Sequence, residues 1–227
     1  MELDTVHCCD CLDFMRELPD GCVDAVVTDP PYGIGEAAGK NKSRGKLAIA
    51  RDYGSMTWDD DRPSPEVFAQ LLRVAGEAVI FGGNYFADLL PSSSSWIVWD
   101  KDNTGDFADC ELAWTSHKRA VRKVKWRWNG MLQEPGVPKD VRRHPTQKPL
   151  GLMVWILRNY CESTDVILDP FCGSGTTLVA AKKLGLNYIG CDISPDYCAI
   201  AERRLAEVDG VLFSKDGEEL ATQVKLF

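Results

Sequence analysis

The chain has 227 residues, 44% hydrophobic and 26% charged, with 19 glycines and 12 prolines. These proportions belong to one folded domain and exclude a disordered or collagen-like chain, and the longest apolar run, residues 152–157, is far short of the roughly 20 residues a membrane-spanning helix needs. The net charge of −8 is uneven: residues 40–51 carry five bases and no acid, and residues 118–148 carry ten bases against Glu134 and Asp140, so an acidic body bears two basic segments suited to a polyanion.

In chain order, Met-Glu-Leu-Asp at the start lacks the basic-then-apolar pattern of a secretory leader, which makes the cytoplasm the expected compartment. The nine cysteines are accordingly expected to be reduced and buried. Cys8 and Cys11 form a C-x-x-C pair, but the other Cys and His residues are scattered singly and no metal site is expected. Residues 24–29 are the first Val-rich run and read as a buried parallel strand. The basic loop of residues 33–62 follows, with Lys40, Lys42, Arg44 and Lys46 as candidate phosphate contacts; its Gly- and Ser-rich composition serves a solvated loop equally well. Val67, Leu71 and Val74 recur at helical spacing. Residues 77–81 form a second parallel strand, and residues 95–99, 111–115 and 123–128 are strands without long helices between them, as an antiparallel edge requires.

The last of these strands lies in the basic segment of residues 116–143, where Arg119, Arg122, Lys123, Lys125, Arg127, Arg142 and Arg143 are candidate phosphate contacts and Trp126 and Trp128 candidate stacking surfaces. Residues 165–169 and 187–192 complete the parallel strands, and Cys198, Ala201, Leu205 and Val208 mark a closing helix. Alternation of this kind describes an open α/β sheet with helices on both faces. Three strands end in Asp29, Asp169 and Asp192, at the edge where such sheets hold ligands.

Two segments carry chemistry. After Asp169 comes Pro170-Phe171-Cys172-Gly173-Ser174-Gly175-Thr176, whose glycines permit a tight strand-to-helix turn and a close backbone approach to a ligand. Asp192 lies 19 positions beyond Gly173, where an acid can accept both hydroxyls of a ribose. Leu178 replaces the third glycine of a dinucleotide fingerprint and no phosphate loop is present, so the pattern fits a nucleoside cofactor without pyrophosphate, or a plain turn. Asp29-Pro30-Pro31-Tyr32 offers a carboxylate, a carbonyl on a rigid backbone and a flat ring. That set matches a flipped, amino-bearing base as well as it matches a Pro-Pro turn.

With these segments in this order, the chain resembles the S-adenosylmethionine-dependent amino-methyltransferases of DNA, in the permuted β-class order that puts D-P-P-Y before the cofactor loop. The His-Pro-Thr-Gln-Lys-Pro run at residues 144–149 looks like the segment leading into that loop. Residues 7–12 resemble the strand whose terminal Asp meets the cofactor's adenine. The resemblance implies a single domain over residues 1–227, built on a Rossmann-like, seven-stranded, mostly parallel sheet with helices on both faces. It implies S-adenosylmethionine as cofactor, with Asp10 and Cys11 on the adenine side, Asp192 at the ribose, Asp169 and Phe171, Cys172, Gly173, Ser174, Gly175 and Thr176 along the methionine and ribose, and Thr146 and Lys148 near the carboxylate.

By the same carry-over, Asp29 and the Pro30 carbonyl hold the target amine, Pro31 stiffens the turn and Tyr32 stacks on the base. D-P-P-Y leans towards the N6 amine of adenine in DNA, with the N4 amine of cytosine as the alternative; a silent nucleic-acid-binding subunit would be expected to have lost this element. The basic segment of residues 116–143 stands where larger relatives carry a target-recognition insertion. Dimers are common in the class, so a homodimer is an expectation. Residues 223–227, from Gln223 to Phe227, resemble the peptide that docks bacterial replication proteins on the sliding clamp, though an ordinary tail fits them too.

Overall fold

The computed structural model describes residues 1–34, 62–102, 108–129, 132–137, 139–140, 143 and 146–208. Lys40, Lys42, Arg44, Lys46, Arg142 and the peptide from Gln223 to Phe227 lie outside the described residues. In chain order the elements are β1 (Thr5–Cys8), α1 (Cys11–Glu17), β2 (Val23–Thr28), α2 (Pro65–Val74), β3 (Ala75–Phe81), β4 (Trp96–Asp100), β5 (Cys110–Thr115) and β6 (Arg122–Lys125). A short hairpin follows, β7 (Trp128–Asn129) with β8 (Leu132–Gln133), and then α3 (Leu150–Tyr160), β9 (Val166–Asp169), α4 (Thr176–Lys183), β10 (Asn187–Asp192) and α5 (Pro195–Ala206).

One sheet in the order β1-β10-β9-β2-β3-β5-β4-β6 organises the molecule. The five strands from β1 to β3 are parallel. β5 runs antiparallel to both β3 and β4, and β6 returns parallel to β4. The sheet thus holds eight strands where the resemblance implies seven. The addition is β6, which the basic segment lays along the edge.

The helices cover both faces because the central strands are apolar on both. In β2, Val26 and Val27 are each fully buried and, being neighbours in a strand, point to opposite sides. Val27, Val79 and Phe81 pack under α3 and α4 with Leu152, Ile156 and Leu178. Val26, Ala78 and Ile80 pack under α1 and α2 with Met15, Phe68 and Leu71. Burying one such side chain contributes about 1.5–3 kcal/mol. In α2 that stripe is Val67, Phe68, Leu71 and Val74, started by Pro65 in the first turn, where its missing N–H costs nothing.

The order in which strands are added to the sheet reverses between β2 and β9, which themselves run parallel. From β2 the sheet grows towards β3, and from β9 it grows the other way through β10 to β1. The carboxyl ends of two such strands cannot be covered by a crossover helix, and a crevice opens between them. Among the described residues, no helix is long and apolar enough to cross a membrane.

Candidate active site

That crevice holds a cavity of about 620 Å³, within the size range of small-molecule sites. Its walls come from Asp10 and Cys11, from Asp29 and Pro31, from Thr146, Gln147 and Lys148, from Asp169 through Ser174 with Thr176, and from Asp192 through Ser194. The loops after β2 and β9, about 140 residues apart in the chain, therefore open onto one space.

On the β9 and β10 side, the glycine loop is held by its neighbours. Gly173 and Gly175 both take left-handed backbone conformations, and a Cβ on Gly175 would lie 2.8 Å from that of Ala201. The Asp192 carboxylate accepts the Gly173 N–H at 2.8 Å and the Ser194 N–H at 2.9 Å. Burial raises its proton affinity and those two N–H groups oppose the rise. Asp169 is almost fully buried; the Thr28 hydroxyl donates to it at 2.7 Å and the Phe171 N–H at 3.2 Å. Burial pushes its carboxyl up to about 6, against the hydrogen bonds from Thr177 and Thr28. The buried guanidinium of Arg204, from α5, donates to Ser174 O at 2.6 Å, to Ser174 Oγ at 3.1 Å and to Thr176 Oγ1 at 3.0 Å, and burial brings it down to about 10.

Asp10 reaches the cavity, but not as the end of a strand. β1 stops at Cys8, and Asp10 caps α1 by accepting the N–H groups of Leu12 at 2.8 Å and Asp13 at 3.1 Å. Burial of the cysteines also departs from expectation. Cys172, Cys191 and Cys198 are buried, whereas Cys8 and Cys110 are exposed, because both fall at strand ends.

On the β2 side, the Asp29 carboxylate sits in a chain of charges. Tyr32 Oη donates to Asp29 Oδ1 at 2.6 Å, and Lys148 Nζ donates to Oδ2 at 2.5 Å. The same ammonium is 3.3 Å from Glu111 Oε2, and Lys101 Nζ holds the other oxygen of Glu111. Burial raises the proton affinity of Asp29 and outweighs the opposing effect of Lys148. Burial disfavours the Lys148 cation, but the carboxylates of Asp29 and Glu111 win and its proton is held more tightly than usual. Burial likewise disfavours the Glu111 anion, and there the two ammonium groups win. Lys148 therefore lines the cavity with its charge shared between Asp29 and Glu111. Thr146 lines the cavity as well.

The Tyr32 ring stacks on Tyr85 at 4.9 Å between centroids and 17° between planes. Phe86 meets its edge at 6.1 Å. Gly82, with φ of +66°, backs the same ring; a Cβ there would lie 2.2 Å from Tyr32 Cε1.

In the basic segment the structure corrects the expectation for Trp126. Trp126 is only 5% exposed and packs against Gly151, where a Cβ would lie 2.0 Å from its ring. It is a core residue, not a stacking platform. Trp128 is half-buried against the same core. The cations around them have acidic partners: Lys123 meets Asp100 at 2.9 Å and Lys125 meets Asp102 at 2.8 Å. Arg127 also holds Asp102, donating from Nε at 2.9 Å. Arg119 donates to the Asn159 carbonyl and lies over the Tyr160 ring, and Arg143 reaches Glu207 at 3.2 Å. Arg122 is exposed on β6. Exposed pairs of this kind contribute about 0–1 kcal/mol, so phosphate can compete for them, but the positive face is weaker than a count of bases implies.

Sequence reasoning missed Glu111, Tyr85, Gln147 and Arg204. Gln147 is buried, and its Oε1 accepts the Arg143 N–H at 2.8 Å. Arg204 had a signal: it shares the buried stripe of α5 with Tyr197 and Ala201, a position where an arginine must have partners.

A family model described as DNA methylase matches residues 92–203. The type II methyltransferase M2.DpnII of Streptococcus pneumoniae is 45% identical over 238 residues, covering 86% of this chain and 87% of that protein. M2.MboI of Moraxella bovis, also a type II methyltransferase, is 26% identical over 254 residues, with 94% and 92% covered. The crystal structure of M1.HpyAVI in complex with S-adenosylmethionine superposes with a TM-score of 0.58 at 28% identity, covering 88% of this chain and 99% of that one.

Proposed function

The chain belongs to the N6/N4 DNA methylase family, and we propose that it transfers the methyl group of S-adenosylmethionine to the exocyclic N6 amine of an adenine swung out of DNA. One observation carries this reading: Asp29 and the Asp169–Asp192 wall line a single cavity. The donor set suits such a cofactor, with Asp192 and Asp10 as acceptors and Phe171, Ile193 and Tyr197 as apolar surface. When bound, the cofactor supplies a methyl group already activated on a sulfonium.

An exocyclic amine is a poor nucleophile because its lone pair is delocalised into the ring. The Asp29 carboxylate and the Pro30 carbonyl accept its two N–H bonds and favour a tetrahedral nitrogen whose lone pair is available. Tyr32 and Lys148 fix the carboxylate from either side. Alignment and exclusion of water then supply most of the acceleration. The proton leaves after the N–C bond forms, and Asp29, whose proton affinity is raised by burial, is a competent acceptor for it.

The test is incubation of unmethylated DNA with methyl-labelled S-adenosylmethionine, followed by digestion to nucleosides. N6-methyladenine is expected; N4-methylcytosine would overturn the choice of base, and no labelled base would overturn the reading. On this reading the chain acts as one domain in the cytoplasm. Homodimerisation is tested by sedimentation, and clamp docking by loss of clamp binding when residues 223–227 are removed.

A further inference from the structure

Glu111 is the charge in the site that neither a cofactor nor a base requires. It stands on β5, opposite Trp99 in the register of β4. Its Oε1 is held by Lys101, while its Oε2 is buried without a hydrogen bond, its neighbour being Lys148 Nζ at 3.3 Å. Burying such a carboxylate carries a desolvation cost that its ammonium partners offset, and an apolar side chain would serve packing as well or better. The arrangement is a row of alternating charges, Lys101, Glu111, Lys148 and Asp29, running from the β4 edge to the acceptor of the target amine.

We propose that Glu111 is a positioning residue for methyl transfer, acting on Asp29 through Lys148. The lysine ammonium and the Tyr32 hydroxyl already occupy one lone pair on each Asp29 oxygen, and the amine must use another. Were Lys148 paired to Asp29 alone, its full charge would draw electron density from the carboxylate and weaken it as an acceptor. Glu111 draws the ammonium part of the way back, and Lys101 keeps Glu111 ionised while it does so. The charged and titratable groups facing Asp29 are thus Tyr32 on its own loop, Lys148 ahead of α3, Glu111 on β5 and Asp169 on β9.

The inference rests on the role given to Asp29 above, so its test reads Asp29 directly. The Asp29 carboxyl is titrated by carbon-13 NMR on aspartate-labelled protein and assigned by its loss in Asp29→Asn. In Glu111→Gln the titration moves to lower pH, because a raising charge is gone. In Lys148→Met, or Lys148→Gln where the first does not fold, it moves to higher pH, because a lowering charge is gone. Opposite movement is the signature; both variants moving down marks a loosened site and overturns the proposal, as does an unmoved Glu111→Gln titration. Turnover of Glu111→Gln at neutral pH falls about 10–100-fold, the scale of a misplaced catalytic group, with unchanged KM for S-adenosylmethionine. A rise in KM without loss of kcat also overturns it. If the titrations move as stated but Asp29→Asn retains full turnover, it is the reading of Asp29 as catalytic that fails.

Discussion

Gly82→Ala is the substitution that most cleanly separates the base side of the cavity from the cofactor side. Gly82 does not line the cavity, yet its missing side chain is what lets Tyr32 lie where it does: an added Cβ would stand 2.2 Å from Cε1, 2.6 Å from Cζ and 2.7 Å from Cδ1 of that ring. The ring cannot retreat freely, because Tyr85 is stacked on it and Phe86 meets its edge. Two costs add. An alanine at φ of +66° carries roughly 1–2 kcal/mol of backbone strain, and overpacking against a confined ring adds about 1–3 kcal/mol, for about 2–5 kcal/mol in all. Any ring movement that relieves the clash takes the Tyr32 hydroxyl off Asp29. Urea unfolding measures the first effect, and methyl transfer beside calorimetric cofactor binding measures the second. Expected are a loss of stability in that range and a large fall in turnover with cofactor affinity nearly unchanged. In a Tyr32→Ala background the overpacking part should vanish and leave only the strain. Equal costs in both backgrounds would refute the reasoning, as would full turnover in Gly82→Ala.

Other outcomes follow from the same contacts. Arg204→Met removes three buried hydrogen bonds from the glycine loop and should cost about 2–4 kcal/mol, with cofactor affinity falling about tenfold or more by calorimetry; unchanged affinity would show that the loop holds its shape unaided. Asp169 stays protonated up to about pH 6 in the folded chain against its ordinary 3.8, so the folded state binds the extra proton in that window and stability falls as pH rises through it. Asp169→Asn lacks this slope, and its stability relative to the natural chain should gain roughly 2 kcal/mol between pH 4 and pH 7 in urea unfolding; parallel profiles would contradict the burial account. Trp126→Ala should cost about 3–5 kcal/mol as a core truncation and leave the salt dependence of DNA binding unchanged, whereas a selective loss of DNA affinity would restore it as a nucleic-acid contact.

What the sequence made legible depended on how local the cause was. Four of the five parallel strands were readable because Val- and Ile-containing runs between helical patterns have few other uses, and with them came the acids at their ends. Asp29 and the glycine loop could therefore be named early, although the switch in strand order that joins them is a property of the whole sheet. Glu111 was invisible, since its meeting with Lys148 depends on β5 turning antiparallel beside β3. The ion pairs of the basic segment were not legible, because a count of charges carries no register. Asp100 and Asp102 lie beside Lys123, Lys125 and Arg127 only once β6 pairs with β4. Yet the alternation in Lys-Val-Lys-Trp-Arg already had a period of two, placing Val124 and Trp126 on one face and the cations on the other, and both of those apolar residues are buried.

The central claim is that the turn after β2 and the turn after β9 serve one reaction. A crystal structure of the chain with a non-transferring analogue of S-adenosylmethionine and a duplex containing its target tests it most directly. The account predicts an adenine turned out of the helix, its amine held by Asp29 and the Pro30 carbonyl, with the nitrogen about 3–3.5 Å from the position of the methyl carbon. A base lodged elsewhere, or a cofactor bound in a cavity that Asp29 does not line, would contradict it.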